Sequence, residues 1–292
     1  MIVVLTGGTG YVGRYVAARC LANGWRVHLL TRSASKIPVM IEGLVVRHDT
    51  DGSIAALTRV LGQVRPDCVL HLASGSALAH GAEQVDQLID ANIRFPTRLL
   101  EAMRAAGVNR FVNTGTFWQH YAGSTYWPVD FYAATKQAFE DLLRHYTDGH
   151  GFAAITLKLY DNYGPDDPRR KIVTGLVEAA RLGKTIEMSA GEQILDLTHV
   201  EDLAAAFAIA AELACTASAS SDRCFFVSGE RVRLKELVGM IVERNRGLRA
   251  HLGARAYRDR EIMDPIFPGE SLPGWQRAHS LAVTIDDMLS DG

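Results

Sequence analysis

The sequence predicts an α/β protein, a doubly wound parallel sheet carrying a smaller α/β lobe in its C-terminal half. Three observations lead there. The chain opens on an apolar run, Ile2-Val3-Val4-Leu5, that passes straight into a glycine-spaced turn, Thr6-Gly7-Gly8-Thr9-Gly10-Tyr11-Val12-Gly13, and then into a helical pattern. Short apolar runs then alternate with helical stretches as far as about residue 160, the rhythm of βαβ units. Beyond that point the pattern loosens at a dense loop signal, Tyr163-Gly164-Pro165-Asp166-Asp167-Pro168.

Taken in order, strands are expected at residues 2–5, 26–30, 43–46, 68–72, 110–113 and 153–159, with a late one at 224–227. Each is a short apolar run of the kind a sheet covered on both faces requires. Between them, Val85, Leu88, Ile89 and Asn92, then Leu99, Leu100 and Met103, recur at helical spacing, giving one helix over 85–103; a second is expected over 131–146. No internal repeat or linker stands out. Residues 1–160 are read as a nucleotide-binding domain, with chain returns from the C-terminal half, and 161–292 as mainly a substrate lobe.

With 292 residues, 48% hydrophobic, 22% charged and a net charge of -2, the chain has ample length for a core. It has no basic block or acidic tail, which argues against nucleic acid and against a membrane-surface patch. The opening apolar run is too short for a signal segment and no stretch is long enough to span a bilayer, so a cytoplasmic protein is expected. Cys20, Cys68, Cys215 and Cys224 are scattered with mostly apolar neighbours. They read as small buried residues, and no metal is expected.

The glycine turn has a mechanical reading. Gly7 permits a tight turn, Gly10 lets backbone approach a pyrophosphate, and Gly13 lets the new helix pack close to the strand, while the free amides at that helix's start face the phosphates. A dinucleotide cofactor follows. The second strand ends at Thr31-Arg32-Ser33, where an acidic residue would hold a ribose 2′-hydroxyl; no acid is there. Arg32 and Ser33 offer a cation and a hydroxyl to a 2′-phosphate, which favours NADP(H) over NAD(H). The competing reading of Arg32 is a solvated surface arginine. Asp49 follows the third strand and is read either as acceptor for the adenine amine or as an ordinary loop aspartate.

The catalytic candidates are Thr116, Tyr132 and Lys136. Tyr132 and Lys136 are four residues apart, so a helix puts phenol and ammonium on one face. A nearby ammonium is expected to lower the phenol pKa, letting Tyr132 exchange a proton with a carbonyl or alkoxide. Thr116 closes the fifth strand, where its hydroxyl can hydrogen-bond the same oxygen. Arg169, Arg170, Lys171, Arg258 and Arg260 are candidate cations for a diphosphate, although Arg169-Arg170-Lys171 also reads as a solvated turn. His120 is weighed as a second proton donor against a structural histidine, and Trp118 as a sugar-stacking residue against core or wall.

On these motifs the chain resembles the extended short-chain dehydrogenase/reductases, and within them the sugar-nucleotide epimerases, dehydratases and 4-keto reductases. The resemblance rests on the glycine motif, His71-Leu72-Ala73-Ser74, Asn92, the Tyr132 and Lys136 pair, Tyr160-Asp161-Asn162-Tyr163-Gly164-Pro165, and the run from Gln193 to Asp202. It implies a Rossmann domain with a nucleotide-sugar lobe, often a homodimer built through a four-helix bundle from the helices at 85–103 and 131–146. It implies cofactor contacts from Gly7, Gly10, Tyr11, Val12, Leu72, Ala73, Ser74, Asn92, Thr114, Tyr132, Lys136 and Tyr160. Substrate contacts are implied for Ser74, Thr116, Phe117, Trp118, Asp161, Asn162, Arg170, Lys171, Gln193, Arg258 and Arg260.

The departures are informative. Asp161 stands where the family usually has asparagine, and Gly115 where it usually has serine. The 4,6-dehydratases carry an Asp-Glu pair directly after the catalytic Thr, whereas this chain has Phe117-Trp118. The stretches 114–121, 257–261 and 272–275 look most like reductases acting on NDP-4-keto-6-deoxyhexoses. The expected activity is therefore NADPH-dependent reduction of the C4 ketone of such a nucleotide sugar. An NAD-dependent 4-epimerase using the same Tyr and Lys is the alternative, and a non-catalytic NADP(H) sensor a more distant one.

Overall fold

The computed structural model describes residues 1–32, 34–75, 81–266 and 269–290. Its first half builds β1 (Ile2–Thr6), α1 (Tyr11–Ala22), β2 (Arg26–Thr31), β3 (Val46–Asp49), α2 (Ile54–Val64), β4 (Cys68–His71), α3 (Ala82–Ile89), α4 (Phe95–Ala105), β5 (Arg110–Thr116), α5 (Phe131–His150) and β6 (Ala153–Leu159). The second half adds β7 (Asp161–Tyr163), α6 (Ile172–Arg181), β8 (Thr185–Glu187), β9 (Ile194–His199), α7 (Val200–Thr216), β10 (Ser221–Val227), β11 (Glu230–Arg233), α8 (Leu234–Arg244), β12 (Arg249–His251), β13 (Glu270–Ser271) and α9 (Leu281–Ser290).

Eight strands form one parallel sheet in the order β3-β2-β1-β4-β5-β6-β10-β13. The chain winds outward from β1 in one direction, then returns to β4 and winds in the other. The crevice at that reversal, outside the carboxyl ends of β1 and β4, is where such sheets bind ligands. Helices cover both faces, which is why β6 is buried at every position. One core packs α1 and the alanine-rich α7 against the sheet through Leu5, Leu29, Val16 and Phe207; the other packs α2, α4 and α5 through Val4, Leu57, Leu100, Phe111 and Phe139. A further core lies in the second half, where Leu176, Leu237 and Ile285 of α6, α8 and α9 meet Leu197 of β9. Two small sheets, β11-β9-β7 and β12-β8, accompany that core.

Three details differ from the sequence reading. The third strand runs from Val46 to Asp49 instead of 43–46, because Gly43 takes a positive φ of 74° and the chain is still turning there. The helix expected over 85–103 is broken by a π turn, Asp90–Arg94, between α3 and α4. Of the cysteines, Cys20 and Cys68 are buried, Cys215 is half-buried and Cys224 is exposed. Only the last three residues of β10, Phe225 to Val227, pass under the helical cover.

Candidate active site

The glycine turn sits at the carboxyl end of β1, against the loop that leaves β4. A Cβ on Gly7 would lie 2.5 Å from the Ala73 amide nitrogen, and one on Gly13 only 2.0 Å from the Gly7 carbonyl oxygen. Backbone therefore occupies the space that side chains would need. Helix α1 starts at Gly10 with no side-chain cap and no acidic residue in its first turn. Its leading amides are thus left for an anion, as a pyrophosphate cradle requires. Val12 is half-buried beside them. Tyr11 contributes backbone there, since its ring is buried against Tyr15, with the Arg169 guanidinium 4.5 Å above it.

The strand ends are stitched together around this turn. Thr6 Oγ1 meets His71 Nδ1 at 2.7 Å and accepts from the Ala73 amide, the Leu72 amide donates to the Thr6 carbonyl, and Thr114 donates to the His71 carbonyl at 2.7 Å. At the end of β2, Arg32 is exposed, while Ser33 lies outside the described residues. Asp49 is engaged by its own neighbours: its Oδ1 accepts from Thr31 and from Arg47, each at 2.8 Å. Arg47, which the sequence reading passed over, also donates to the Ser35 carbonyl at the same corner.

Helix α5 begins on an Asp130 cap that accepts from the Ala133 amide at 2.8 Å, packs against β5 and the turn after it, and carries Tyr132 and Lys136 one turn apart. Lys136 is 1% exposed, and burial lowers its pKa to about 8, opposed by the Glu140 carboxylate one turn on. Tyr132 is half-buried and hydrogen-bonds Ser74. Its phenol does not move down as the nearby ammonium suggested. Burial pushes it up to about 12, because losing water outweighs the pull of Ser74. Thr116 is buried at the end of β5, where its hydroxyl accepts from the Trp118 amide at 3.3 Å and caps the tight turn Phe117–Gln119.

Asn92 explains the π turn. Its amide accepts from Ser74 Oγ at 2.9 Å and from the Gly75 amide at 2.8 Å, and donates to the Gly75 carbonyl and to Thr135 on α5. The extra residue in that turn aims one side chain at a loop and a helix together. Asn92 thus ties the loop after β4 to the helix bearing Tyr132 and Lys136.

A cleft opens beyond these groups, walled by Phe117, Trp118, Val129 and Asp130 on one side and by Asp161, Ile194, Leu195 and Asp196 on another, with Arg258, Asp259, Arg260 and Glu261 closing it. Tyr160 stacks on Phe117 with ring centroids 4.8 Å apart and is buried behind the wall. Each arginine is held: Arg258 pairs with Glu261 at 3.1 Å, and Arg260 donates to the Pro128 carbonyl at 2.9 Å. Several other candidates do not line the cleft. Arg170 has a positive φ of 50° that turns its side chain out to Glu178, leaving 72% of it exposed. Lys171 reaches the cleft only through Asp161, at 3.5 Å. Asn162 accepts from Arg169, and Gln193 is buried against Ser189.

Arg169 itself is a strut. It pairs with the buried Asp167 while covering Tyr11, and so joins the loop after β7 to the start of α1. His120 braces its own loop through Nδ1, 2.8 Å from the Thr125 carbonyl, and does not line the cleft. Among the described residues, potential metal-ligating atoms of His199, Glu201 and His279 gather at the start of α7, but His279 is engaged there by Glu201 and by Asp202 at 2.7 Å.

Sequence reasoning missed Asp130 and Asp196. Asp130 was legible as a helix cap two residues before Tyr132. Asp196 is a buried carboxylate in β9; it accepts from the Gly229 amide at 2.6 Å and burial raises its pKa.

The model of the NAD dependent epimerase/dehydratase family matches residues 3–219, most of the chain. The chain belongs to that family. Among its relatives, CDP-abequose synthase of Yersinia pseudotuberculosis is 29% identical over 91% of this chain and 92% of the relative, and CDP-abequose synthase of Salmonella muenchen is 24% identical over 99% and 97%. Among solved structures, a UDP-glucose-4-epimerase from Stenotrophomonas maltophila with bound NAD and formylated UDP-arabinopyranose superposes with a TM-score of 0.86 at 18% identity, covering 99% of this chain and 97% of that one. At that identity the likeness concerns the fold, and the fold is the Rossmann-like one of this family, whose enzymes are NAD(P)-dependent.

Proposed function

We propose that this chain reduces the C4 ketone of an NDP-4-keto-6-deoxyhexose with NADPH. One observation carries the reading: Thr116, Tyr132 and Lys136 are all present, while the residues after Thr116 are the cleft-walling pair Phe117 and Trp118, where the dehydratases of the family place two carboxylates. The relatives named CDP-abequose synthase, which are 4-reductases, support it along nearly the whole chain.

When NADPH is bound, its nicotinamide would supply the hydride. The chain's residues do the remainder. The amides at the start of α1 hold the pyrophosphate, and Arg32 meets a 2′-phosphate from the end of β2. Lys136 holds the nicotinamide ribose and adds positive charge near the carbonyl oxygen. Tyr132, kept protonated by its burial, gives its proton to that oxygen as negative charge develops, and Thr116 orients it. The cleft of Phe117, Trp118, Asp161, Arg258 and Arg260 takes the sugar nucleotide, its two arginines facing the diphosphate. Residues 1–160 form the cofactor domain, to which α7, β10 and β13 return, and residues 161–292 mainly the substrate lobe. On this reading the protein is cytoplasmic, and a homodimer as the family resemblance implies.

The test is oxidation of NADPH and of NADH with CDP-, dTDP-, UDP- and GDP-linked 4-keto-6-deoxyhexoses. The expected result is stoichiometric loss of NADPH with one of them and formation of the C4 alcohol. A silent panel, with NAD carried through purification and C4 inversion without net cofactor turnover, replaces the reductase with a 4-epimerase.

A further inference from the structure

We propose that Glu140, Lys158 and Gln119 are positioning residues behind the active site, a largely buried ion pair and an amide that fix the turn bearing Thr116 and set the charge around the Lys136 ammonium. The proposal rests on the roles given above to Thr116, Tyr132 and Lys136.

Lys158 is the anomaly that starts the argument. It lies in β6, Ala-Ala-Ile-Thr-Leu-Lys-Leu, a strand buried at every position, and its side chain is 2% exposed. A buried lysine is costly unless it is paired with good geometry. Lys158 Nζ donates to both carboxylate oxygens of Glu140, at 2.9 and 2.7 Å. Glu140 Oε1 also accepts from Gln119 Nε2 at 3.1 Å, and Gln119, fully buried, presents its Oε1 to the Thr116 amide at 3.0 Å. Gln137 accepts the second Gln119 N–H at 2.7 Å. The bonds therefore run without a break from the ion pair to the backbone of Thr116, and they dictate which end of the Gln119 amide faces that residue.

Gly115 belongs to the same device. A Cβ there would lie 2.7 Å from Lys158 Cδ and 2.9 Å from Glu140 Oε1. The ion pair fills the volume that a serine side chain would take, which accounts for glycine at a position where the family usually has serine.

The second link is charge. Tyr132 and Glu140 lie one turn before and one turn after Lys136 on α5; Lys158 of β6 acts on the charge of Lys136, Lys136 acts on that of His71 of β4, and Asp222 and Cys224 of β10 feel both members of the ion pair. His71 is neutral in this setting, its pKa lowered to about 3 by burial. Glu140 favours the Lys136 ammonium and Lys158 opposes it. The two partners thus act on Lys136 in opposite directions, whereas as packing elements their removal would damage the site in the same direction.

That opposition is the test. Protein labelled with ε-13C lysine is titrated by NMR from neutral to alkaline pH as wild type, Glu140→Gln, Lys158→Met and the double variant, with Lys136 assigned through Lys136→Arg. Glu140→Gln is expected to lower the Lys136 titration by about one pH unit, Lys158→Met to raise it by about as much, and the double variant to lie between. The alkaline limb of kcat on the keto-sugar follows the same order. Should Lys158→Met fail to fold, Glu140→Gln and the double variant, in which both charges leave together, still make the comparison. Shifts in the same direction, or no shift of Lys136, overturn the proposal. Gln119→Leu is expected to cut kcat about tenfold with the NADPH Kd unchanged; an unchanged kcat removes the Thr116 link. If Lys136 moves as described while no keto-sugar is reduced, the charge device stands and the reductase assignment falls.

Discussion

His71 couples the site to pH through a single residue. It is enclosed by Phe95, Phe111 and Phe139, and its Nδ1 meets Thr6 at the base of the glycine turn. Burial lowers its pKa from an ordinary 6.5 to about 3. Between those values the unfolded chain binds a proton that the folded one refuses, so this contribution to stability is complete above about pH 6.5 and is lost as pH falls toward 3. His71→Asn keeps a polar partner for Thr6 without a titrating ring. Urea midpoints at neutral and mildly acidic pH should therefore fall further in wild type than in the variant, and equal losses would assign the acid sensitivity elsewhere. Tyr132→Phe, which removes the proton donor, should cost about 10²- to 10⁴-fold in kcat with a far smaller change in the NADPH Kd. Arg32→Ala should weaken NADPH roughly 10- to 100-fold and leave NADH alone, the loss of one charge-assisted contact. Equal effects on both cofactors would show that Arg32 does not read the 2′-phosphate.

Elements differ in how much of themselves a sequence displays. The turn after β1 was legible because each glycine answers a local backbone demand, and the Tyr132 and Lys136 pair because helical spacing alone puts four-apart residues on one face. Gly13→Ala should push α1 off β1, since its Cβ would meet the Gly7 carbonyl at 2.0 Å. The expected cost is about 1–3 kcal/mol of stability with loss of NADPH affinity, read by thermal melts with and without cofactor; a variant that still binds NADPH normally would place the pyrophosphate elsewhere. The π turn was not legible. Its residues read as plain helix, and the partners of Asn92, Gly75 and Thr135, are distant in sequence. Direction was hidden too: Arg169, Arg170 and Lys171 look equivalent in the sequence, yet the backbone at Arg170 sends them three ways, to Asp167, Glu178 and Asp161. The Glu140 and Lys158 pair joins a helix to a strand, and only the lysine in an apolar run hinted at it.

At the scale of the molecule, loops late in the chain are fastened to α7 and α1, the helices packed together on one face of the large sheet. Trp275 donates to the Asp202 carbonyl at the start of α7, His279 pairs with the Asp202 carboxylate, and Arg169 bridges to Tyr11. On the other side of the sheet lie α4 and α5, with α3 beside α5. Leu142 on α5 is 37% exposed, and Val85, Ile89 and Ile93 form a half-buried apolar stripe at helical spacing along α3 and the π turn. Two such pairs of helices, one from each protomer, would make the four-helix interface the family resemblance implies, and a two-fold axis would repeat every contact across it, so one substitution changes the interface twice. Leu142→Glu would then bury a carboxylate in an apolar seam once from each protomer, a cost on the order of several kcal/mol. Light scattering should show a dimer for wild type and a monomer for the variant, with turnover per protomer preserved if each cleft is complete in one chain. A variant that stays dimeric would move the interface off this face, and a monomeric wild type would remove the dimer altogether.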